Sequence, residues 1–170
     1  MSMPQNTSKR FPKREEREKD EFDQKVIEIT RVTRVQAGGK RMRFRACVVV
    51  GDRKGKVGMG VSKGADVATA VNKAITLAKK DLFTVKIVKD SIPHVVLEKN
   101  CGAQVLLKPA TQGRGIIAGG PVRAVLELSG IKNVVSKMLA SKNKISNVRA
   151  TIQALKKMRT KEEIEQLKKS

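Results

Sequence analysis

Residues able to do chemistry are scarce in this chain. One histidine, His94, and two cysteines, Cys47 and Cys101, are its complete stock of imidazole and thiol ligands. There is no CxxC, and these three positions fit no usual zinc spacing. A disulfide framework is equally unsupported, which makes a reducing cytosol the default. His94 follows Pro93 with no serine, cysteine or carboxylate at a motif-like distance, so a packing or surface role is simpler than a catalytic one. Cys47, between Ala46 and Val48, reads as a small core hydrophobe, and Cys101 falls in a turn without an activating base nearby. The remaining candidate is the loop Thr111 to Gly120 (TQGRGIIAGG), with four glycines ahead of Pro121. Free amides in a glycine loop and at a helix N-terminus attract phosphate. No GK[ST] follows, so the lysine and hydroxyl of a nucleotide-binding loop are missing. That weakens a nucleotidase or kinase reading and leaves a structural turn, or contact with an RNA backbone or a partner protein.

The charge is a stronger signal. The 170 residues hold 37 Lys and Arg against 16 Asp and Glu, a formal charge of +21. Such a chain repels itself unless a polyanion neutralises it, and nucleic acid and anionic membrane are the obvious choices. No apolar run approaches the ~18–20 residues of a membrane span, and the N-terminus lacks a signal-peptide apolar region. There is no Trp or Tyr and only four Phe (Phe11, Phe22, Phe44, Phe83), which argues against stacking bases on aromatic platforms. Residues 1–24 carry six basic and six acidic side chains, residues 25–90 sixteen and five, and residues 91–170 fifteen and five. The segment 1–24, with its core KREEREKDEFDQK, reads as a charged flexible arm. Between Arg34 and Lys63 nine cations (Arg34, Lys40, Arg41, Arg43, Arg45, Arg53, Lys54, Lys56, Lys63) face one acid, Asp52. They alternate with apolar residues, which predicts a polyanion-binding face of a sheet.

The elements that must hold these residues follow from periodicity. Lys25 to Val35 and Met42 to Val50 alternate as strands, joined by a turn at Gln36-Ala37-Gly38-Gly39. In the second strand Met42, Phe44 and Ala46 share one face and Arg43 and Arg45 the other. A hairpin over 51–55 leads to a glycine-rich strand, Lys56 to Val61, where Gly58 and Gly60 admit close approach of another backbone or a phosphate chain. Gly64 to Leu82 reads as a helix with an inner stripe of Val67, Val71, Ala74, Ala78 and Leu82 and with Asp66 in its first turn. Thr84 to Val88 reads as a strand. After Pro93 come strands at 94–99 and 103–107, the glycine loop, and a helix with Pro121 at its first position. That helix has an inner face of Val122, Val125, Leu126 and Ser129 and stops at Gly130. Ile131 to Leu139 reads as a strand, and Asn143 caps a last helix with the stripe Ile145, Val148, Ile152 and Leu155. The fold class is α+β: a β-β-β-α unit over 25–90, a second α+β unit over 91–157, and a charged tail over 158–170. Two such small units would each be marginal alone.

The stretch GKRMRFRACVVVGDRKGKVGMGVSKGADVATAVNKA from Gly39 resembles the signature of the ribosomal protein S five family. Gly39-Lys40, Phe44, Ala46, Val49-Val50-Gly51-Asp52, Gly55, Val57-Gly58, Gly60, Asp66, Val67 and Ala70 carry the likeness. A second block agrees, from Pro109-Ala110 through GRGIIAGGPVRAVLELSGIKNV to NVRATIQAL at 147–155. On this pattern, which covers roughly residues 25–157, the chain is identified as a member of that family, bacterial in type because the long terminal extensions of eukaryotic relatives are missing.

The resemblance implies a double-stranded-RNA-binding-domain-like first unit and a second unit of the ribosomal protein S five domain-2-like fold, shared with a translocation-factor domain and small-molecule kinases. It implies a non-enzymatic, cytoplasmic, ribosome-bound protein that needs no cofactor, metal or membrane. The implied partners are 16S ribosomal RNA, ribosomal proteins S four and S eight, and messenger RNA where S three and S four line its channel, with an influence on decoding accuracy through S four. The 36–41 segment (Gln36, Gly38, Gly39, Lys40, Arg41) matches the loop that approaches the head of the subunit near the spectinomycin site. Relatives often read Lys-Gly-Gly-Arg where this chain has Ala37-Gly-Gly-Lys40. Arg114 and Arg123 match positions near contacts with S four, and Arg114 also with RNA. Met59 stands where relatives frequently carry an aromatic. Two rivals remain distinct: a nucleotide-dependent small-molecule kinase, and a basic regulator acting off the ribosome.

Overall fold

A computed structural model describes residues 22–161, 163 and 165. The arm anticipated over 1–24 lies almost wholly outside the described residues, as does most of the tail anticipated over 158–170. The first half of the chain forms β1 (Asp23–Gln36), β2 (Gly39–Gly51), β3 (Lys56–Gly64), α1 (Val67–Lys80) and the short β4 (Phe83–Thr84). These strands make one antiparallel sheet in the order β1-β2-β3-β4. The second half forms β5 (Val96–Asn100), β6 (Ala103–Pro109), β7 (Ile116–Ile117), α2 (Gly120–Ser129), β8 (Val134–Met138) and α3 (Lys144–Lys157). Its sheet runs β5-β6-β8-β7, with only the β7–β8 pair parallel. The α+β class and the β-β-β-α order are as expected.

The apolar run Ala46 to Val50 reflects burial on both faces of β2. Ala46, Val48 and Val50 pack with Ala70, Ala74 and Ala78 of α1, whereas Val49 joins Val57 in the larger core with Val125, Leu128 and Leu155. Packing against α1 is unusually close, because β3 presents Gly58, Gly60 and Gly64 beneath the helix, with Ser62 as the one side chain among them. A Cβ at Gly60 would fall on the Ala74 carbonyl oxygen, and one at Gly58 on that of Ala78. This decides one expectation and corrects another. Of the two approaches expected at Gly58 and Gly60, a backbone or a phosphate chain, the backbone of α1 is the one that occurs. The buried stripe is Ala70, Ala74 and Ala78, since only alanine fits that gap; Val67 is turned outward and Leu82 lies beyond the helix end. Asp66 is the N-cap rather than a first-turn residue, and its N–H donates to Thr69 Oγ1 at 3.2 Å.

Other differences have local causes. Of the expected 84–88 strand only Thr84 joins the sheet, with Phe83 before it; the Val85 N–H donates to Gly55 O at 2.7 Å, and Val88 instead pairs back on Ser91 around Lys89 and Asp90 at φ 50° and 62°. The glycine loop contains β7, and Pro121 is the second residue of α2 behind an N-cap at Gly119. The 131–139 strand shortens to Val134–Met138, because the amides of Lys132 and Asn133 both donate to Asp90 O at 3.0 Å. The inner face of α2 and its left-handed stop at Gly130 (φ 86°) are as read from sequence. In α3, Asn143 Oδ1 accepts from the Ile145 N–H at 3.1 Å, and the expected stripe is buried.

The two sheets meet at the β2–β3 turn. The Arg53 N–H donates to Leu128 O at 3.0 Å. A Cβ at Gly51 would strike the Leu128 carbonyl, and one at Gly130 the Arg53 carbonyl. Above this contact Glu127 of α2 receives Lys25 of β1 at 2.9 Å and Arg123 of its own helix at 2.7 Å.

Candidate nucleic-acid interface

The register of the first sheet decides where its cations point. Phe44 is the last residue of β2 paired with β3, opposite Gly64, yet β1 and β2 pair on to Gln36 opposite Gly39. The five pairs from Val32↔Arg43 outward therefore form a two-stranded ribbon beyond the sheet, about 16 Å long at ~3.3 Å per residue. Gly38 closes it at φ 81°, a left-handed position that glycine takes without steric cost.

Side chains alternate along a strand. With Ala46, Val48 and Val50 turned to α1, the residues Arg41, Arg43 and Arg45 point to the opposite face, as the sequence pattern predicts. Across the register they meet Arg34, Val32 and Thr30 on β1, and Lys63 stands opposite Arg45 on β3. Two rungs thus place like charges directly opposite, Arg34↔Arg41 and Arg45↔Lys63, an arrangement that destabilises a sheet. Among the described residues, no ion pair joins Arg34, Arg41, Arg43, Arg45 or Lys63 to a carboxylate. Arg34, Arg41, Arg43 and Lys63 line one shallow concavity with Val32, Thr33 and Gln36. Arg45 Nε is shielded and unpartnered, and so is Thr30 Oγ1 directly opposite it.

The nine cations between Arg34 and Lys63 do not form the single face expected. Lys40 falls on the α1 side of the ribbon with Met42 and Phe44. Arg53, Lys54 and Lys56 lie at the far end of the sheet, in and after the turn against α2. There Asp52 Oδ1 accepts the Lys54 and Lys56 N–H groups at 2.7 and 2.9 Å, and Arg53 Nε pairs with Asp23 at 2.7 Å. The turn interrupts the alternation, so spacing along the chain could not show this division. Arg114 is exposed in the loop before β7, its N–H donating to Thr111 O at 3.3 Å, while Arg123 is held by Glu127. The glycine loop is tied inward, the Gly115 N–H donating to Asn133 Oδ1 at 3.1 Å.

One further cation escapes a reading confined to residues 34–63. Arg149 of α3, exposed, lines a cleft with Met59, Gly60 and Val61 of β3. Only the apolar stripe of α3 shows in its sequence, and the polar positions betray no destination. Among the described residues no aromatic platform accompanies the basic face: Phe22 and Phe44 pack on the α1 core, and Phe83 packs on the larger core beneath Lys156 Nζ at 4.9 Å. Cys47 is buried, with its thiol pushed up to about 11 by burial and then by the Glu28 carboxylate. Cys101 is exposed, and no group of three potential metal ligands occurs among the described residues.

Both halves of the chain resemble known proteins. The family model described as "Ribosomal protein S5, N-terminal domain" matches residues 22–86, and "Ribosomal protein S5, C-terminal domain" matches residues 98–168. "Small ribosomal subunit protein uS5" of Synechococcus elongatus is 48% identical over 147 residues, covering 86% of this chain and 82% of the relative. A basic two-sheet protein matched in both halves, and similar to a bacterial relative over most of its length, belongs to the ribosomal protein S five family of the small ribosomal subunit.

Proposed function

We propose that the chain is a structural, non-enzymatic constituent of the small subunit that binds 16S ribosomal RNA through the ribbon face of its first sheet. The observation that carries this reading is the pair of like-charge rungs, Arg34↔Arg41 and Arg45↔Lys63, left without carboxylate partners among the described residues. Facing arginines raise the energy of the free protein and lower that of a complex in which a phosphate lies between them. Arginine contacts of this kind fix position and orientation, while groove shape and ribose 2′-hydroxyls supply the selectivity.

The finer assignments rest on the family. The tip at Gly38, Gly39, Lys40 and Arg41 reaches toward the head of the subunit. Arg114 and Arg123 lie on the side that meets ribosomal protein S four, through which decoding accuracy is affected. S eight is a second protein neighbour. With S three and S four, the protein helps form the channel through which messenger RNA enters. Arg123 already has an internal partner in Glu127, so at that interface it acts through a shared carboxylate rather than as a free cation.

Incorporation tests the central part. A tagged full-length chain should travel with small subunits on a sucrose gradient, and R41A/R43A/R45A should shift much of it to the top. Wild-type incorporation of the triple variant would sink the assignment of this face.

A further inference from the structure

We infer that the RNA track does not stop at the edge of the first sheet but continues onto α3, where Arg149 is a further backbone-binding cation. This rests on the reading of the ribbon face and extends it. Going inward along β2, Arg41 faces Arg34 and Arg43 faces Val32 on β1, and Arg45 faces Lys63 and Cys47 faces Val61 on β3. Successive rungs are two residues apart, so cations recur every ~6.6 Å along the face. The fourth rung has no cation of its own and carries Glu28 of β1 opposite Cys47, a carboxylate that Lys144 engages; this is where Arg149 enters. It shares a cleft wall with Met59, Gly60 and Val61, and its charge acts on the Cys47 thiol together with that of Arg45. Arg149 thus extends the series by one step, across the boundary between the two sheets, over a span of about 20 Å from the Arg41 rung.

The neighbouring α3 cations are engaged elsewhere. Lys144 Nζ lies 3.5 Å from Glu28 Oε1, and Lys156 Nζ lies 3.3 Å from Asp81 Oδ1 and above the Phe83 ring. Arg149, exposed between them, has no carboxylate partner among the described residues. The ligand chemistry that fits a row of unpaired arginines with no stacking surface is a ribose-phosphate backbone, read by charge rather than by base. The partner that fits is one continuous RNA strand touching both halves of the protein.

The test is equilibrium binding of the full chain to a 20-base-pair RNA duplex across a series of salt concentrations. R149A should bind roughly tenfold more weakly at low salt. The slope of log K against log salt should become shallower by about 0.7–0.9, one released counterion. R149K should restore most of that slope, and K156A should match wild type. Arg149 is exposed, so its replacement should leave the thermal midpoint nearly unchanged. A wild-type slope for R149A alongside a clear loss for R41A/R43A/R45A would overturn the extension and leave the ribbon reading standing. Wild-type slopes for both variants would overturn the ribbon reading and the extension with it.

Discussion

A single methyl group measures how closely α1 lies on the first sheet. Gly60→Ala would place a Cβ on the Ala74 carbonyl oxygen, so helix or strand must move, at a cost of about 2–3 kcal/mol in denaturant unfolding. Gly38→Ala meets nothing within 4 Å and should cost only about 1–2 kcal/mol, the price of a left-handed backbone at φ 81°. The sequence places Gly38 in a turn and marks Gly60 for a close approach, but not that α1 is what approaches, because that depends on where a helix lands. The cysteines divide similarly. At pH 7 a thiol reagent should label Cys101 quickly and Cys47 only on unfolding. The folded Cys47 value is raised, so its contribution to stability is intact below the ordinary thiol value of 9.0 and is lost as the pH rises toward about 11. Fast labelling of both thiols in the native protein would contradict that burial.

At the scale of elements, the ribbon sets folding against binding. Arg41→Ala removes one of two directly opposed cations, so it should stabilise the fold by about 0.2–1 kcal/mol while weakening RNA binding. Paired unfolding and binding measurements check this; loss of both together would mean that Arg41 is structural. The alternation of β2 is visible in the sequence because each face has its own residue type. Projection of the ribbon is not, since it depends on β3 ending opposite Phe44 while β1 runs on. The link between β1 and α2 is equally hidden, with Lys25 and Glu127 separated by 102 residues. Hydrogen bonds from Arg123 and Lys25 hold the Glu127 carboxyl below its ordinary 4.5. A lowered value stabilises the fold above 4.5, and that stability is lost as the pH falls through the folded value. Glu127→Gln should therefore be less stable than wild type at pH 7, with the gap closing below about pH 4.5 in pH-dependent unfolding.

Over the whole molecule, the apolar interior joins what the sequence divides near Pro93. The larger core contains Val49 and Val57 from the first sheet with Val105, Leu107, Val125 and Leu128 from the second half. Shared packing predicts one cooperative unfolding transition, and Val49→Ala should lower the single midpoint by an amount equivalent to about 1–2 kcal/mol. Two separated transitions would show the halves to be independent. The charge of +21 was legible at once, and so was the shortage of stacking side chains, four Phe with no Trp or Tyr, on which the proposal of backbone binding rests. Its division into an unpaired face, a partnered turn and an outlying Arg149 required the fold. The central claim is that unpaired cations on one sheet face bind RNA by displacing counterions. The most direct measurement is the salt dependence of RNA binding by the full chain. A steep linear fall of log K with log salt is predicted, made shallower by about 2–3 in R41A/R43A/R45A. A slope near zero, or one the triple variant leaves unchanged, would contradict it.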